Sequence, residues 1–101
     1  MTAQMKRIVL HALKPHHPSI VEVAQQLASL AGVDGVNIVI YEVDRKVENA
    51  KITAEGPDLA LEEIVAIVED AGGTVHSIDE AVAGKVMIED SPTPQDMPNF
   101  G

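Results

Sequence analysis

The stretch PSIVEVAQQLASLAG, residues 18–32, limits the fold more than any other part of the chain. Ile20, Val23, Ala24, Leu27, Leu30 and Ala31 recur at helical spacing and leave polar residues on the opposite side. Ser19 followed by Glu22 forms a capping box, in which hydroxyl and carboxylate each reach a backbone amide of the first turn. Gly32 offers a left-handed cap at the far end. Such a helix must bury its apolar stripe against something else. Its flanks supply the partner. KRIVLHAL (6–13) precedes it and is stopped by Lys14-Pro15, and GVNIVIYEVD (35–44) follows it; both are short, aliphatic and rich in β-branched residues, as strands are.

The same unit then recurs. KVENAKITAEG (46–56) alternates Ala50, Ile52 and Ala54 with Asn49, Lys51 and Thr53, giving one face to pack and one polar face. The short polar link Asp44–Lys46 joins it to the preceding strand as a hairpin. In GPDLALEEIVAIVEDAGG the expected N-cap is Asp58, Leu61, Ile64, Val65 and Val68 form the buried stripe, and Gly72-Gly73 ends the helix. TVHSIDEAVAG is the fourth strand. Two strand–helix–strand units in series, with right-handed crossovers, predict an α+β fold: a ferredoxin-like βαββαβ sandwich, a four-stranded antiparallel sheet with two helices on one face. At 101 residues there is one such domain, expected over residues 1–86. Residues 87–101 read as an acidic, proline-containing C-terminal arm, flexible or extended.

Charge narrows the partners. Sixteen carboxylates against seven Lys and Arg give a formal charge of −9, and Tyr41 and Phe100 are the only aromatics. Such a surface repels phosphate backbones and offers no platform for stacked bases, so nucleic acid is not an expected partner. The absence of cysteine removes disulfides, thiolate metal sites and cysteine nucleophiles together. No apolar run approaches the roughly 20 residues of a membrane span, and the N-terminus lacks the features of a signal peptide. The expectation is a soluble, cytoplasmic protein with no membrane partner.

The topology gathers the histidines. The first two strands run one way and the last two the other, so the loop carrying His16 and His17 should lie near Gly72-Gly73. His76 should enter the fourth strand near the level of His11, and Asp44 sits on the neighbouring hairpin. His11, His16, His17, His76 and Asp44 are therefore a candidate metal site, and imidazole with carboxylate suits zinc, nickel or copper. Against this, adjacent histidines usually point apart, and a proline-flanked polar loop is ordinary turn chemistry. Within HSIDE, His76 and Asp79 are separated by about 10 Å along a strand and lie on opposite faces, so they form no acid–base pair. Gly32 and Gly35 lead into a strand instead of opening a helix, which excludes a nucleotide fingerprint. No catalytic residue is expected.

With both helices on one side, the other face of the sheet should be wet, yet the second strand is apolar on both sides: Val36, Ile38 and Ile40 against Val39, Tyr41 and Val43. Val9, Leu13 and Ile78 add to the open face, among His11, Asn37, Asn49, Lys51 and Thr53. An edge of this kind calls for cover from another chain, so a homo-oligomer is expected.

LKPHHPS (13–19), GVDGVNI (32–38), VENAKITAEG (47–56), GGTVHSIDEAVAGK (72–85) and TPQD (93–96), taken in order, resemble the archaeal "domain of unknown function 211" family. The resemblance implies a ferredoxin-like fold and a multi-subunit assembly, and it implies no activity. Where the family pattern has carboxylates this chain has His11 and His17, so a hard-cation site there would have become one for a softer metal or been lost. The resulting expectation is a non-catalytic, homo-oligomeric binding or sensing domain. It would take a divalent cation or small ligand at the histidine end or between subunits. The alternatives are an enzyme using His76 or His16 as base with a carboxylate such as Asp44, and a purely structural assembly.

Overall fold

The structure, a computed structural model, describes residues 2–95. The elements are β1 (Met5–Pro15), α1 (Ile20–Ala28), β2 (Gly35–Val43), β3 (Val47–Leu59), α2 (Leu61–Asp70) and β4 (Thr74–Ala83). The strands form one antiparallel sheet in the order β2-β3-β1-β4. This is the ferredoxin-like α+β sandwich expected from the element order, with β2 and β4 at its edges. Ile8, Leu10 and Ala12 of β1 and Ile52 and Ala54 of β3 bury one face of the sheet against Val23 and Leu27 of α1 and Ile64 and Val68 of α2. Leu10, Leu27, Ile64 and Val23 are its largest fully enclosed side chains, each stabilising the fold by about 1.5–3 kcal/mol through loss of apolar surface to water.

The helix ends follow local chemistry, with two corrections to the sequence reading. Ser19 does cap α1, its Oγ accepting from the Glu22 amide at 3.3 Å. However, α1 ends at Ala28 with Ser29 as C-cap, so Gly32, although it has φ +85°, shapes the turn into β2 and not the cap itself. Asp58 does not cap α2, whose N-cap is Ala60 with no side-chain bond. The reason is that β3 continues to Leu59 and the Asp58 amide donates to Gly32 O at 3.3 Å, which keeps Asp58 within the strand. The C-terminus of α2 is a Schellman cap: Gly73 N donates to Val68 O and Gly72 N to Glu69 O, each at 2.9 Å, with Gly72 at φ +85°.

Gly32 and Gly56 mark a close approach of two backbones. A Cβ on Gly32 would lie 2.0 Å from Asp58 O, and one on Gly56 2.1 Å from Gly32 O. Register irregularities break the strict alternation of the edge strands. Tyr41 is the extra residue between the pairs Ile40↔Ala50 and Glu42↔Asn49, so Glu42 joins the open face and Val43, opposite Glu48, leaves it. On β4, His76 and Asp79 are likewise extra residues opposite β1.

Candidate functional site

The predicted juxtaposition holds at the level of the backbone. Pro15 lies opposite Val47, Leu13 opposite Thr74 and His11 opposite Ser77, with His76 in the adjoining bulge. The His16 loop, the β2–β3 hairpin and the start of β4 thus share one rim. The side chains divide this region into separate clusters.

At the rim, His16 is occupied on both ring nitrogens. Nδ1 donates to Glu48 Oε2 at 3.2 Å, and Nε2 donates to the carbonyl oxygens of Asp44 and Arg45 at 2.9 and 3.1 Å. A carboxylate and two carbonyls only accept, so the full set of bonds requires the doubly protonated ring. The pKa of His16 is accordingly raised, chiefly by the Glu48 carboxylate. An imidazolium has no lone pair for a metal. Glu48 also accepts from Lys14 Nζ at 2.8 Å, and that ammonium, only 4% exposed, donates to Pro15 O at 2.7 Å. Lys14 is the main cause that holds the Glu48 carboxyl below its ordinary range. Asp44 Oδ1 accepts from the Lys46 and Val47 amides, each at 2.8 Å, which shapes the hairpin and lowers the carboxyl pKa. His17 is exposed and makes no hydrogen bond among the described residues.

On the open face a second cluster forms around His11. Its Nδ1 donates to Asp79, which also accepts from Ser77 Oγ at 3.0 Å, and the ring of Tyr41 lies 5.8 Å from that of His11, tilted by 39°. The His11 bond is the largest reason that the Asp79 carboxyl sits below its ordinary range. Nε2 of His11 has no partner among the described residues. Asp79 makes no hydrogen bond to His76, although the charge of His76 contributes to lowering its carboxyl pKa, and the sequence reading missed that Asp79 meets His11. A cleft of about 110 Å³ lies nearby, between Leu13, Glu42, Val43, Asp44, Val47 and Asn49, and Asn49 Oδ1 is buried without a hydrogen-bond partner among the described residues.

The five proposed ligands therefore do not converge. His16 belongs to Glu48 and the hairpin carbonyls, His11 to Asp79, and His17 and His76 are exposed. Among the described residues no group of three or more His, Asp or Glu side chains is arranged to hold a metal ion.

A third cluster was not foreseen. Arg7, on the same face as Val9 and His11, donates from Nε to Glu55 at 2.7 Å and from Nη1 to Glu80 at 3.4 Å. It also grips both oxygens of Glu89 at 2.8 and 3.0 Å. Glu89 lies in the C-terminal arm, so the arm is tied to the open face at the end away from the hairpin. Val9 and Val82 are each only 7% exposed on that part of the face. Farther up, Val39 and Leu13 are exposed, as is Tyr41 at 58%. Residues 96–101, the last part of the arm, lie outside the described residues.

Fold and clusters together define a small ferredoxin-like α+β domain with a partly bare sheet face. No helix among the described residues is long and apolar enough to cross a membrane. The model of the domain of unknown function 211 family, described as "Uncharacterized ArCR", matches residues 6–97. The chain is 55% identical over 92 residues to "Uncharacterized protein MJ0319" of Methanocaldococcus jannaschii, an alignment that covers 91% of this chain and 95% of that protein. The chain belongs to this family.

Proposed function

We propose that the chain is a non-catalytic, homo-oligomeric binding module whose ligand sits on the open sheet face, between subunits, at the His11–Asp79–Tyr41 cluster. The observation that carries this reading is the bare upper half of the face. There an oriented imidazole with a free Nε2 stands among exposed apolar side chains, Val39, Tyr41 and Leu13, that a neighbouring copy would cover. Because Asp79 holds Nδ1–H, the ring presents Nε2 as an acceptor, suited to a donor group of a small ligand or to a divalent ion completed by a neighbour's side chains.

The test has two arms. Mass in solution is expected to exceed that of one chain, and Tyr41→Lys is expected to lower it. Titration with zinc, nickel and copper salts and with a panel of small metabolites is then followed by the His11 ring resonances. A monomeric chain whose His11 signals ignore every probe would end the proposal.

A second reading has one observation in its favour. A histidine whose Nδ1–H is held by a carboxylate is oriented as a general base is. Ser77 donates to Asp79 and not to the imidazole, so no nucleophile accompanies it. Substrate turnover lost in His11→Gln and retained in His76→Gln would favour this reading over simple binding.

A further inference from the structure

Self-association, the premise of the proposed function, leaves open which part of a neighbour covers the bare upper half of the sheet. We infer that residues 86–88 of a second copy cover it, in a reciprocal face-to-face pair that sets the lower half of each open face against the upper half of the other.

Three observations converge. First, Val86, Met87 and Ile88 form an unbroken apolar run that faces water, with Val86 and Ile88 exposed at 63% and 66%. A run of this kind marks a surface that something covers. It is also held in place. Ile88 lines a cleft with Glu80 and Val82 of β4, Met87 lines another with Glu55 of β3, and the Arg7–Glu89 bonds fix the next residue to the open face. The run is thus a fixed apolar ridge at the lower end of the face, and Leu13, Val39 and Tyr41 are an exposed apolar patch at its upper end.

Second, the geometry closes. Ridge and patch share one face, so a single two-fold axis across the strands seats each ridge on the other copy's patch. An axis along the strands would set ridge against ridge and hold the sheets apart. With the axis level with Val9 and Thr53, which pair across β1 and β3, the rows above and below it exchange. Met87 then roofs the Val39, Tyr41 and His11 side chains of the other copy, and an unbranched thioether adapts well to such a mixed surface. Four strands at roughly 4.8 Å spacing and about 30 Å long present about 600 Å² in projection. That is near the roughly 800 Å² per partner of a standard stable interface. Third, charge is complementary. On the lower half three carboxylates, Glu55, Glu80 and Glu89, meet the one guanidinium of Arg7, an excess of two negative charges. Lys51, which pairs with His11 one row above the axis, makes no ion pair among the described residues. The reciprocal pair brings Glu55 opposite Lys51 of the other copy.

The chain has no cysteine, so an introduced thiol reports one position. Full-length chains carrying Val39→Cys and Met87→Cys are mixed and oxidised, with solution mass measured in parallel. The expected result is a disulfide-linked pair in the mixture, formed in much higher yield than by either variant alone. A chain carrying both substitutions is expected to give linked pairs and nothing larger. A ladder of longer linked species shows head-to-tail association, and a bridge closed within one chain shows that its own ridge covers the patch; either overturns the reciprocal pairing. Met87→Asp with Ile88→Asp is expected to weaken association by about tenfold or more, with an unchanged circular dichroism spectrum because both side chains lie outside the core. An oligomer that shows no preferential cross-link, or no response to these two charges, overturns the assignment of residues 86–88 and leaves self-association standing. A full chain that stays monomeric overturns both.

Discussion

Replacing Glu48 by Gln removes the one full charge that faces the buried ammonium of Lys14. In the intact protein Lys14 Nζ has two acceptors, Glu48 Oε1 at 2.8 Å and Pro15 O at 2.7 Å, and its side chain is 4% exposed. Breaking a fully buried pair on one side costs about 3–5 kcal/mol. Here Glu48 is 18% exposed and the Pro15 carbonyl remains, which brings the expected loss to about 2–3 kcal/mol. For a domain of this size the midpoint of thermal unfolding should fall by about 10–20 °C. The double variant Lys14→Met, Glu48→Leu strands no charge and is expected to fall within about 1 kcal/mol of the parent.

The assay is urea unfolding followed by far-UV circular dichroism at one fixed protein concentration, since self-association would otherwise alter the midpoint. The pH dependence has two limbs of opposite sign. The Glu48 carboxyl is held below its ordinary 4.5, so its contribution is complete above that value and disappears as pH falls through the lower, folded one. His16 is raised above its ordinary 6.5, so its contribution is complete below 6.5 and is lost as pH rises through the folded value. The cluster therefore stabilises most between about 4.5 and 6.5. A Glu48→Gln loss under about 0.5 kcal/mol would refute the reasoning, because it would mean that water already screens Lys14.

Leu27→Ala empties a fully enclosed site between α1 and the sheet and should cost about 2–5 kcal/mol in the same urea assay. Gly32→Ala and Gly56→Ala each drive a methyl group into a backbone oxygen, 2.0 and 2.1 Å away, and should each destabilise by well over about 1 kcal/mol. Gly35→Ala, with nothing within 4 Å of its added Cβ, should stay within about 0.5 kcal/mol of the parent. Arg7→Met frees Glu89, so limited proteolysis should cut within residues 85–95 faster than in the parent while the sheet retains its amide-exchange protection; unchanged cleavage would show that the arm is held by other contacts.

Sequence periodicity revealed the fold where burial is one-sided. Val23 and Leu27 of α1, Ile64 and Val68 of α2, and Ala50, Ile52 and Ala54 of β3 are buried as their spacing predicts, whereas Leu30 and Ala31 fall beyond the end of α1 and Ala31 is exposed. Helix ends were less legible, because Asp58 is a good capping residue by type and only the path of the neighbouring chain, Gly32 O, keeps it in β3. The edge strands lost their parity for a different reason. A bulge inserts one residue without any composition signal, and Tyr41, His76 and Asp79 all sit at such insertions. The face assignments of Val43 and Asp79 changed with them.

The candidate site shows where topology stops being informative. Connectivity alone placed His16 beside the hairpin, and that placement held. What His16 can do depends on Glu48 of β3, a partner that no local pattern in the sequence points to. The DRK link fixes only the register of β2 on β3; it is the non-local pairing of β1 with β3 that sets Lys14 against Glu48, a cation facing an anion at the end where His16 enters. The Lys14 ammonium keeps that carboxylate ionised, and acceptors on both ring nitrogens keep the imidazole protonated, which removes the lone pair a metal requires. His11 has a single carboxylate partner on one nitrogen and, among the described residues, no acceptor on the other, so its hydrogen bonds do not require the second ring proton that those of His16 do. The same residue type, once within β1 and once just beyond its end, thus has opposite uses. A pairing of strands brings histidines to one region, but the number of acceptors around each ring decides which of them remains able to bind.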